Sequence, residues 1–391
     1  MIRIAVLGST GSIGRSALAV VRRHPDRFRV TALSARRRVD VLAAQVAEFR
    51  PARAVLSEVP GSALPDTGGG TRWTAGREAL VELAASDDVD VVVNALVGSA
   101  GLEPTLHALA GGKRLALANK ESLVAGGALV LEAARRGGGR VIPVDSEHSA
   151  ILQCMHGADP ASVRRLILTA SGGPFRGWER VRLAGVTPAD ALRHPTWDMG
   201  AKITIDSATL ANKALEVIEG HFLFGVPYAR IEAVVHPQSI VHSFVEFRDG
   251  SVLAQVGNPD MELPILYALT HPERVGDPVL RTFDPVRASP LTFEPVDREA
   301  FPLFALGVDA GAAGGVAPAV FNAANEVAVE AFLGEAIGFL DMAPVVEQAL
   351  EAVGGGDPAT VEDVLHADRS ARSAARAGVE RMNRKRSSRQ G

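Results

Sequence analysis

Two carboxylates and an imidazole lie within the segment PVDSEHSA, directly after an apolar run that predicts a strand. Asp145 and Glu147 are two positions apart, so both carboxylates lie on one face of an extended chain. Two negative charges held this close repel each other unless a cation binds between them. Oxygen ligands favour Mg²⁺ or Mn²⁺ over zinc, which would require Cys or several His. Alternatively, the acids cap the first turn of a helix, and the segment alone does not decide between cap and metal site.

A third carboxylate for such a metal site lies in IDSATLANKALEVIEG, which predicts one helix capped by Asp206 or Ser207. On that helix Asn212 and Glu216 are spaced i, i+4, and Lys213 and Glu216 are spaced i, i+3, so the three side chains share a face. Amide, ammonium and carboxylate together suit a phosphorylated, hydroxylated substrate beside a metal. The alternative is a solvated helix face that carries an ion pair.

Lysine is scarce, since only five of the 41 cationic residues are lysines. In a chain that uses arginine so freely, a lysine can mark a place that needs a compact and flexible ammonium. The alternative is codon drift, which suits Lys385 and Lys113. Lys120 lies in ALANKES (116–122), just past a predicted strand, where ligands of open parallel sheets bind. The alternative for this segment is a helix cap with ordinary surface charges.

Two further segments suit an anion and a lid. LTASGGPF contains Ser171 and two glycines, which offer hydroxyl and backbone N–H groups to an anion. RHPTWDMGAK contains His194, Trp197, Met199 and Gly200, and an aromatic residue among Pro and Gly predicts a loop that closes and excludes water. The alternative for the second segment is a surface turn with a packed Trp.

A glycine-rich loop, GSTGSIGRS (8–16), separates the first predicted strand from the first predicted helix. Its glycines are spaced three apart, and such a loop lets backbone N–H groups approach a pyrophosphate at a helix N-terminus. The second strand then runs into Arg36, Arg37 and Arg38 without an early acid for a ribose hydroxyl. These guanidinium groups suit the 2′-phosphate of NADP(H), and the alternative is three solvated arginines.

Alternating strand and helix patterns in residues 1–150 predict a Rossmann-like, doubly wound parallel sheet, with helices at 39–49, 101–110 and 122–136. Residues 151–270 predict an α+β domain with a mainly antiparallel sheet. Proline and turn formers in 271–300 predict a linker, and the alanine-rich segment 301–391 predicts a C-terminal α-helical bundle. The fold class is therefore α/β with two further domains.

Composition excludes several classes of partner. The 391 residues are 47% hydrophobic and carry a formal charge of −4, which provides no basic field for nucleic acid or a membrane surface. One cysteine excludes an internal disulfide and suits a reducing compartment. The N-terminal apolar run is too short for a signal peptide, and no apolar stretch approaches about 18 residues. We expect a cytoplasmic protein with no membrane span.

Eight segments together resemble the 1-deoxy-D-xylulose 5-phosphate reductoisomerase family from residue 3 to about residue 380. They are GSTGSIG, LANKES, PVDSEHSA, LTASGGPFR, HPTWDMGAKITIDSATLANKALEVIE, VVHPQSIVHS, GSVLAQVGNPDM and FNAANEVAVEAF. The resemblance implies an oxidoreductase and isomerase of isoprenoid biosynthesis. Such an enzyme rearranges its phosphosugar by Lewis-acid catalysis and reduces it with NADPH to 2-C-methyl-D-erythritol 4-phosphate.

The resemblance also implies roles for individual side chains. The divalent-metal ligands, for Mg²⁺, Mn²⁺ or Co²⁺, would be Asp145, Glu147 and Glu216. The groups that act in catalysis would be these three acids and Lys120. Contacts to the substrate phosphate and hydroxyl groups would come from Lys120, Ser146, Glu147, Ser171, His194, Ser207, Asn212, Lys213 and Glu216.

The remaining implied roles concern the cofactor, the lid and the assembly. NADPH contacts would come from Thr10, Gly11, Ser12, Ile13, Asn119, Glu121 and Gly200, to which the charge argument adds Arg37 and Arg38. In that arginine turn the chain departs from the family, which often has glycine, lysine and asparagine there. Trp197 and Met199 would lie on a mobile flap, and the family is homodimeric, with nucleotide-binding, catalytic and connecting, and helical domains.

Two other functions share some of these features. A semialdehyde dehydrogenase has a similar glycine loop but needs a cysteine nucleophile, and no flanking pattern supports Cys154 in that role. An NADPH-sensing protein without turnover would need no acidic trio. His148 is expected to support a ligand rather than to be one.

Overall fold

The structure is a computed structural model that describes residues 1–61, 64–65, 70–197 and 199–390, without the side chains of 385–390. The strands, in chain order, are β1 (Ile2–Leu7), β2 (Phe28–Ala35), β3 (Arg53–Leu56), β4 (Arg72–Ala75), β5 (Val91–Asn94), β6 (Arg114–Leu117), β7 (Arg140–Pro143), β8 (Val163–Ala170), β9 (Ile231–Val235), β10 (Val241–Phe247), β11 (Val252–Val256) and β12 (Glu294–Pro295). The helices are α1 (Ser12–Arg23), α2 (Val39–Phe49), α3 (Arg77–Ala85), α4 (Leu102–Ala110), α5 (Lys120–Gly137), α6 (Ser146–Cys154), α7 (Arg180–Leu183), α8 (Pro188–Ala191), α9 (Ala201–Ala208), α10 (Ala211–Phe224), α11 (Glu262–Thr270), α12 (Pro285–Ala288), α13 (Pro302–Ala313), α14 (Ala317–Leu333), α15 (Met342–Val353) and α16 (Val361–Gln390).

The chain divides into two compact units. The first contains residues 1–122, 128–149 and 260–281, and the second contains 123–127, 150–259 and 282–391. Within the described residues no helix is both long enough and apolar enough to cross a bilayer.

A seven-stranded parallel sheet forms the centre of the first unit, in the order β4-β3-β2-β1-β5-β6-β7. The central strands β1 and β5 are apolar and buried, as parallel strands covered on both faces must be. The chain moves outward from β1 to β4 and then returns to the other side at β5, so the order reverses between β1 and β5. The predicted Rossmann-like α/β fold is confirmed, and ligands of such sheets bind where the order reverses.

The sequence predicted most elements of this unit but missed β3, β4, α3 and α11. The helix expected at 39–49 is α2, and those expected at 101–110 and 122–136 are α4 and α5 to within two residues. The outer strands β3 and β4 were not predicted, because each has four residues and neither shows a clear alternation of apolar and polar positions.

Residues 260–281 belong to the first unit although they follow the strands of the second unit in sequence. The guanidinium group of Arg23 contacts Glu262 Oε2 at 2.6 Å and Asp277 Oδ2 at 2.8 Å, and His24 Nε2 lies 3.1 Å from the same Asp277 oxygen. The Asp277 side chain is inaccessible to solvent. Burial favours its neutral form, but hydrogen bonds from the Val279 amide, Arg23 and His24 hold the pKa of Asp277 below its ordinary value. These ion pairs attach the segment to α1.

The second unit contains a five-stranded sheet in the order β11-β10-β8-β9-β12. Three of its four strand pairs are antiparallel, and β8 and β9 are parallel, so the predicted mainly antiparallel sheet is correct. Residues 282–300, expected to form part of a linker, contain α12 and β12, and β12 pairs with β9.

The polar helix predicted as one element is two helices, α9 and α10, so this prediction was wrong. Leu210 separates them with a left-handed φ of 58°, and the Thr209 hydroxyl donates to the carbonyl oxygens of Ile205 and Asp206 at the end of α9. Neither Asp206 nor Ser207 caps a helix, because both lie inside α9. The spacing of Asn212, Lys213 and Glu216 is unaffected, since all three lie on α10.

The C-terminal helices form the predicted bundle. Helices α13 to α16 pack through apolar side chains that include Phe321, Phe332 and Val346, all fully buried. Helix α13 also packs against α10, where a Cβ at Gly307 would lie 2.6 Å from both Ala214 Cβ and the Phe321 ring. The bundle is therefore fitted closely to the helix that carries the polar face.

We expect Asp277→Asn to lower the free energy of unfolding by about 1–3 kcal/mol, because it removes the buried carboxylate that pairs with Arg23. Chemical denaturation at neutral pH measures the change. The matched control is Glu273→Gln, in an exposed pair with Arg27, which should change stability by less than about 0.5 kcal/mol. Equal effects of the two substitutions would contradict the importance of the buried pair.

Candidate active site

The glycine-rich loop is shaped by two positions where no side chain fits. Gly8 has a φ of +80°, and a Cβ there would lie 2.6 Å from the carbonyl oxygen of Ala95. A Cβ at Gly14 would lie 2.3 Å from the carbonyl oxygen of Gly8. Gly8 follows β1 and Ala95 follows β5, so the loop lies where the strand order reverses. Helix α1 begins at Ser12 without a side-chain cap, and its first N–H groups are therefore available to an anion.

Buried side chains that the sequence did not reveal hold this loop. Ser9 Oγ lies 2.7 Å from Gln45 Oε1, and Gln45 Nε2 donates back to the Ser9 carbonyl at 2.9 Å. The backbone N–H of Gly8 donates to Ser34 Oγ at 3.1 Å. These bonds connect the loop to β2 and α2. The sequence offers no signal for Gln45, because its partner is 36 residues away.

The three arginines of the turn that follows β2 contact different groups. Arg36 and Arg37 both pair with Glu58, at 2.6 Å and 2.8 Å, and both are largely exposed. Arg38 Nη1 donates to the Thr10 carbonyl at 3.2 Å, so this guanidinium lies beside the glycine-rich loop. Glu58 was missed from the sequence, although it supplies an acid near the second strand.

Asn119, a predicted cofactor contact, is fully buried. Its Nδ2 donates to the carbonyl oxygens of Leu96 and Gly98, each at 3.0 Å, and to Glu121 Oε2 at 2.9 Å. The Asn119 side chain therefore holds the loop after β5, and it also holds the predicted neighbour Glu121. Gly101 must be glycine here, because a Cβ would overlap Asn119 Oδ1.

Asp145 forms the helix cap, one of the two alternatives considered from the sequence, and its role as a metal ligand stays a prediction. Its Oδ1 accepts from the backbone N–H groups of Glu147 at 3.1 Å and His148 at 3.4 Å, which is a helix cap for α6. Its Oδ2 accepts from Lys120 Nζ at 2.8 Å, and both side chains are about nine-tenths buried. The cap thus uses Oδ1, and Lys120 supplies the counter-charge at Oδ2.

The neighbours of Asp145 are partly or fully buried. His148 is inaccessible to solvent, and its Nδ1 lies 3.2 Å from Asp145 Oδ1. The Ser146 hydroxyl donates to the Glu147 carboxylate. His148 thus contacts a predicted metal ligand, as a residue that supports that ligand should.

In the second unit a histidine and two serines form a hydroxyl cluster, defined here as Ser171, His194 and Ser207. His194 Nε2 lies 3.0 Å from Ser171 Oγ and 3.1 Å from Ser207 Oγ. The serines are 23 and 13 positions from the histidine, so sequence spacing gave no indication of this contact. Gly173 has a φ of +66°, and a Cβ there would lie 2.7 Å from the Ser207 carbonyl oxygen. The glycine brings the loop after β8 against the end of α9.

Backbone donors fix the tautomer of His194. Its Nδ1 accepts from the N–H groups of Thr196 at 3.1 Å and Trp197 at 2.9 Å, so the neutral ring carries its proton on Nε2. Burial lowers the pKa of His194 and so favours this neutral form. Nε2–H then donates to the serine oxygens, and Ser171 Oγ accepts also from the Gly173 N–H at 3.2 Å. The serine hydroxyl protons are left to donate to an oxyanion.

Helix α10 supplies a second polar group in this unit. Lys213 Nζ and Asn212 Nδ2 both donate to the Glu216 carboxylate, and the side chains of Lys213 and Glu216 are almost inaccessible to solvent. A solvated helix face, the alternative considered from the sequence, is therefore excluded. A metal that binds the carboxylate, or a phosphate that binds the ammonium, could separate the two partners of this buried ion pair.

The predicted flap lies directly before α9. Trp197 is half-buried and its N–H contacts His194, whereas Gly200 is exposed and precedes the first residue of α9. Met199 is half-buried, and Asp198 lies outside the described residues. The flap thus connects the hydroxyl cluster to α9.

We expect the free energy of unfolding to fall more steeply between pH 7 and pH 5.5 in the wild-type protein than in His194→Gln. With its pKa lowered in the fold, His194 binds a proton more readily once unfolded, so stability decreases as pH drops through the ordinary histidine range. Denaturant titrations at several pH values measure this slope. His156→Gln, which removes an exposed histidine, is the control and should keep the wild-type slope; a slope unchanged in His194→Gln would contradict the buried neutral imidazole.

Three family models match almost the whole chain. The model for 1-deoxy-D-xylulose 5-phosphate reductoisomerase matches residues 4–127, and two models for C-terminal domains of the same enzyme match residues 141–224 and 256–374. The resemblance drawn from the motifs is therefore confirmed across both units. No part of these matches favours a semialdehyde dehydrogenase or a sensor.

Relatives and solved structures agree with the family models. The 1-deoxy-D-xylulose 5-phosphate reductoisomerases of Cupriavidus necator and Burkholderia pseudomallei are 52% and 50% identical, covering 99% and 97% of this chain and 100% and 97% of theirs. The Zymomonas mobilis enzyme in complex with NADPH has a TM-score of 0.91 at 45% identity, covering 97% of this chain and 99% of that one. A DOX-P reductoisomerase in complex with NADPH, fosmidomycin and magnesium has a TM-score of 0.90 at 41% identity, covering 97% and 98%. The chain belongs to the 1-deoxy-D-xylulose 5-phosphate reductoisomerase family.

Proposed function

We propose that the chain rearranges 1-deoxy-D-xylulose 5-phosphate and reduces it with NADPH to 2-C-methyl-D-erythritol 4-phosphate, with Asp145, Glu147 and Glu216 binding the divalent metal. Complexes of relatives with NADPH and magnesium support both cofactors. The observation that carries the assignment of residues is that Asp145 and Glu216, two of the three acids of the family motifs, are buried beside lysines rather than exposed. Exposed acids would have suited a solvated helix cap.

The donor set fits a hard divalent cation. Asp145 and Glu147 in the first unit and Glu216 in the second offer carboxylate oxygens, which Mg²⁺ and Mn²⁺ prefer. When bound, the metal acts as a Lewis acid on the substrate oxygens, and the hydride comes from NADPH. Without a metal, Lys120 and Lys213 balance the acids. Once a metal supplies that charge, the two ammonium groups can donate to substrate oxygens instead.

The second unit would bind the phosphate of the substrate. Ser171 and Ser207 each keep a hydroxyl proton because His194 donates to their oxygens. Lys213 adds a positive charge and Asn212 an amide donor from α10. Phosphate binding of this kind lies away from the reacting carbons, so it can orient the substrate and favour closure of the flap. Lys120 and Ser146 would contact the remaining hydroxyl groups.

The first unit would bind NADPH at the loop that precedes α1. Thr10, Gly11, Ser12 and Ile13 present backbone N–H groups and hydroxyls to the pyrophosphate at a helix start without a side-chain cap. Arg37 and Arg38 supply positive charge for the 2′-phosphate, and Arg38 already contacts the loop. Asn119 would contribute by shaping the neighbouring loop, with Glu121 beside it and Gly200 on the flap.

A second copy of the chain would pair along β11. This strand lies at the edge of its sheet, and Val252 and Leu253 are 51% and 49% exposed. No strand among the described residues covers its outer edge, and an apolar edge with free backbone groups favours pairing with another strand. The implied homodimer would cover these side chains. The domain boundaries expected from the sequence and a cytoplasmic location complete the proposal.

The metal assignment predicts that NADPH oxidation requires both 1-deoxy-D-xylulose 5-phosphate and Mg²⁺ or Mn²⁺, and that a chelator abolishes it. Glu216→Gln should lower kcat/KM by at least about 100-fold, because it removes a charged ligand. Titration with Mn²⁺ should show weaker metal binding, with NADPH affinity unchanged. Glu232→Gln, which removes an exposed acid of the same unit, is the control. Normal turnover by Glu216→Gln would place the third ligand elsewhere.

The dimer assignment predicts that Leu253→Glu combined with Val256→Glu yields monomers. Charges placed on β11 oppose pairing of two apolar edges. Light scattering coupled to size-exclusion chromatography gives the mass. Val286→Glu places the same charge on another exposed valine, in α12, and should leave the mass unchanged. A wild-type monomer, or a double variant that remains dimeric, would exclude β11 as the interface.

A further inference from the structure

Helix α9 carries a buried carboxylate that the proposed reaction does not use. Asp206 is 1% exposed, and its Oδ1 accepts from Asn325 Nδ2 of α14 at 2.7 Å. Its Oδ2 lies 2.8 Å from Lys202 Nζ, one turn earlier on α9, as an ion pair. Asp206 thus joins the C-terminal bundle to α9 by one short hydrogen bond to a charged group, which is a strong kind of bond.

Asn325 itself is costly to bury. It is inaccessible to solvent, and its Oδ1 makes no hydrogen bond among the described residues. A buried acceptor without a partner destabilises a fold by about 1–3 kcal/mol, a cost that a leucine of similar volume would avoid. The hydrogen bond from Asn325 to Asp206 is therefore the interaction that can offset the cost of burying Asn325.

The residue after Asp206 is Ser207 of the hydroxyl cluster. Ser207 Oγ must lie within hydrogen-bond distance of His194 Nε2, which it meets at 3.1 Å. The other end of α9 is continuous with the flap at Gly200. A small shift or rotation of this eight-residue helix would move the serine hydroxyl and the flap together. Its position is set at one side by the close approach of Gly173 and at the other by Asn325.

We propose that Asn325 and Asp206 form a positioning pair through which the C-terminal bundle sets the substrate affinity of the hydroxyl cluster. Asn325 fixes Asp206, and the helix transmits this position to Ser207 one residue later. The pair deepens the proposed function, since it rests on the phosphate-binding role assigned to Ser171, His194 and Ser207. Neither residue of the pair contacts the substrate, so both are positioning residues.

Asn322 provides a matched control on the same helix. It is also buried, it makes one side-chain donor bond, to Glu326 Oε1 at 3.0 Å, and its Oδ1 makes no hydrogen bond among the described residues. Asn322 differs in contacting a residue of its own helix rather than α9. Loss of a buried carboxamide is therefore similar in the two alanine variants, and only Asn325→Ala releases Asp206.

The experiment compares wild type, Asn325→Ala and Asn322→Ala by thermal unfolding and by steady-state kinetics at 25 °C. Both variants should lower Tm by similar amounts. Only Asn325→Ala should raise KM for 1-deoxy-D-xylulose 5-phosphate, by roughly 3- to 10-fold, with a smaller change in kcat, because one hydrogen bond that orients a binding group is lost. Asp206→Asn keeps an acceptor for Asn325 and should keep KM within about twofold of wild type.

Three results would overturn the pair. They are an unchanged KM in Asn325→Ala, an equal rise in Asn322→Ala, and a rise in Asp206→Asn as large as that in Asn325→Ala. If Asn325→Ala does not fold, Asn325→Ser takes its place, because a hydroxyl is too short to reach Asp206.

Calorimetric titration with inorganic phosphate separates this inference from the proposed reaction. The affinity for phosphate should fall in Asn325→Ala and remain unchanged in Asn322→Ala, whether or not turnover occurs. If wild type failed to oxidise NADPH, the proposed reaction would be wrong while this difference would still decide for or against the pair. If wild type turned over and phosphate affinity were the same in all three proteins, the pair alone would be wrong.

Discussion

A carboxylate that leaves water must meet a positive charge, and this requirement organises both units around a few lysines. Arginine pairs with acids at the surface, as Arg36 and Arg37 do with Glu58, and it also pairs with buried Asp277 through Arg23. An ammonium on a flexible stem can move from one oxygen to another, whereas a guanidinium tends to hold both oxygens of one carboxylate. Three of the five lysines pair with acids that are buried or nearly so: Lys120–Asp145, Lys202–Asp206 and Lys213–Glu216.

Elements of the fold that are determined by neighbouring residues in the sequence could be predicted, and elements that depend on tertiary contacts could not. The strand, loop and helix at the N-terminus follow from apolar runs and from glycines at Gly8 and Gly14, where no side chain fits. The break between α9 and α10 could not be predicted, because leucine is an ordinary helix former and the left-handed φ of Leu210 is imposed by tertiary packing. Strands β3 and β4 are too short to carry a periodic signal, and their neighbours in the sheet stabilise them.

In the proposed site, the sequence singled out the candidate groups but not the residues that each of them contacts. The proposed metal ligands and the serines lie in recognisable motifs, yet the cluster around His194 joins a residue from the loop after β8 to one from α9. At Asp145 the helix cap uses Oδ1 while Oδ2 accepts from Lys120, so the cap is compatible with the proposed metal ligand. Gln45, which holds the glycine-rich loop, lies in an ordinary amphipathic helix and has no distinguishing pattern.

The hydrogen bonds that hold the glycine-rich loop bear on the kinetics of cofactor binding. Ser9, Ser34 and Gln45 fix the backbone through buried bonds that involve no ligand, so the loop has its shape before a dinucleotide arrives. Little conformational entropy is then lost on binding at this end of the molecule. Association there should be governed by diffusion and by the charge of the arginine turn, and it should slow as ionic strength rises.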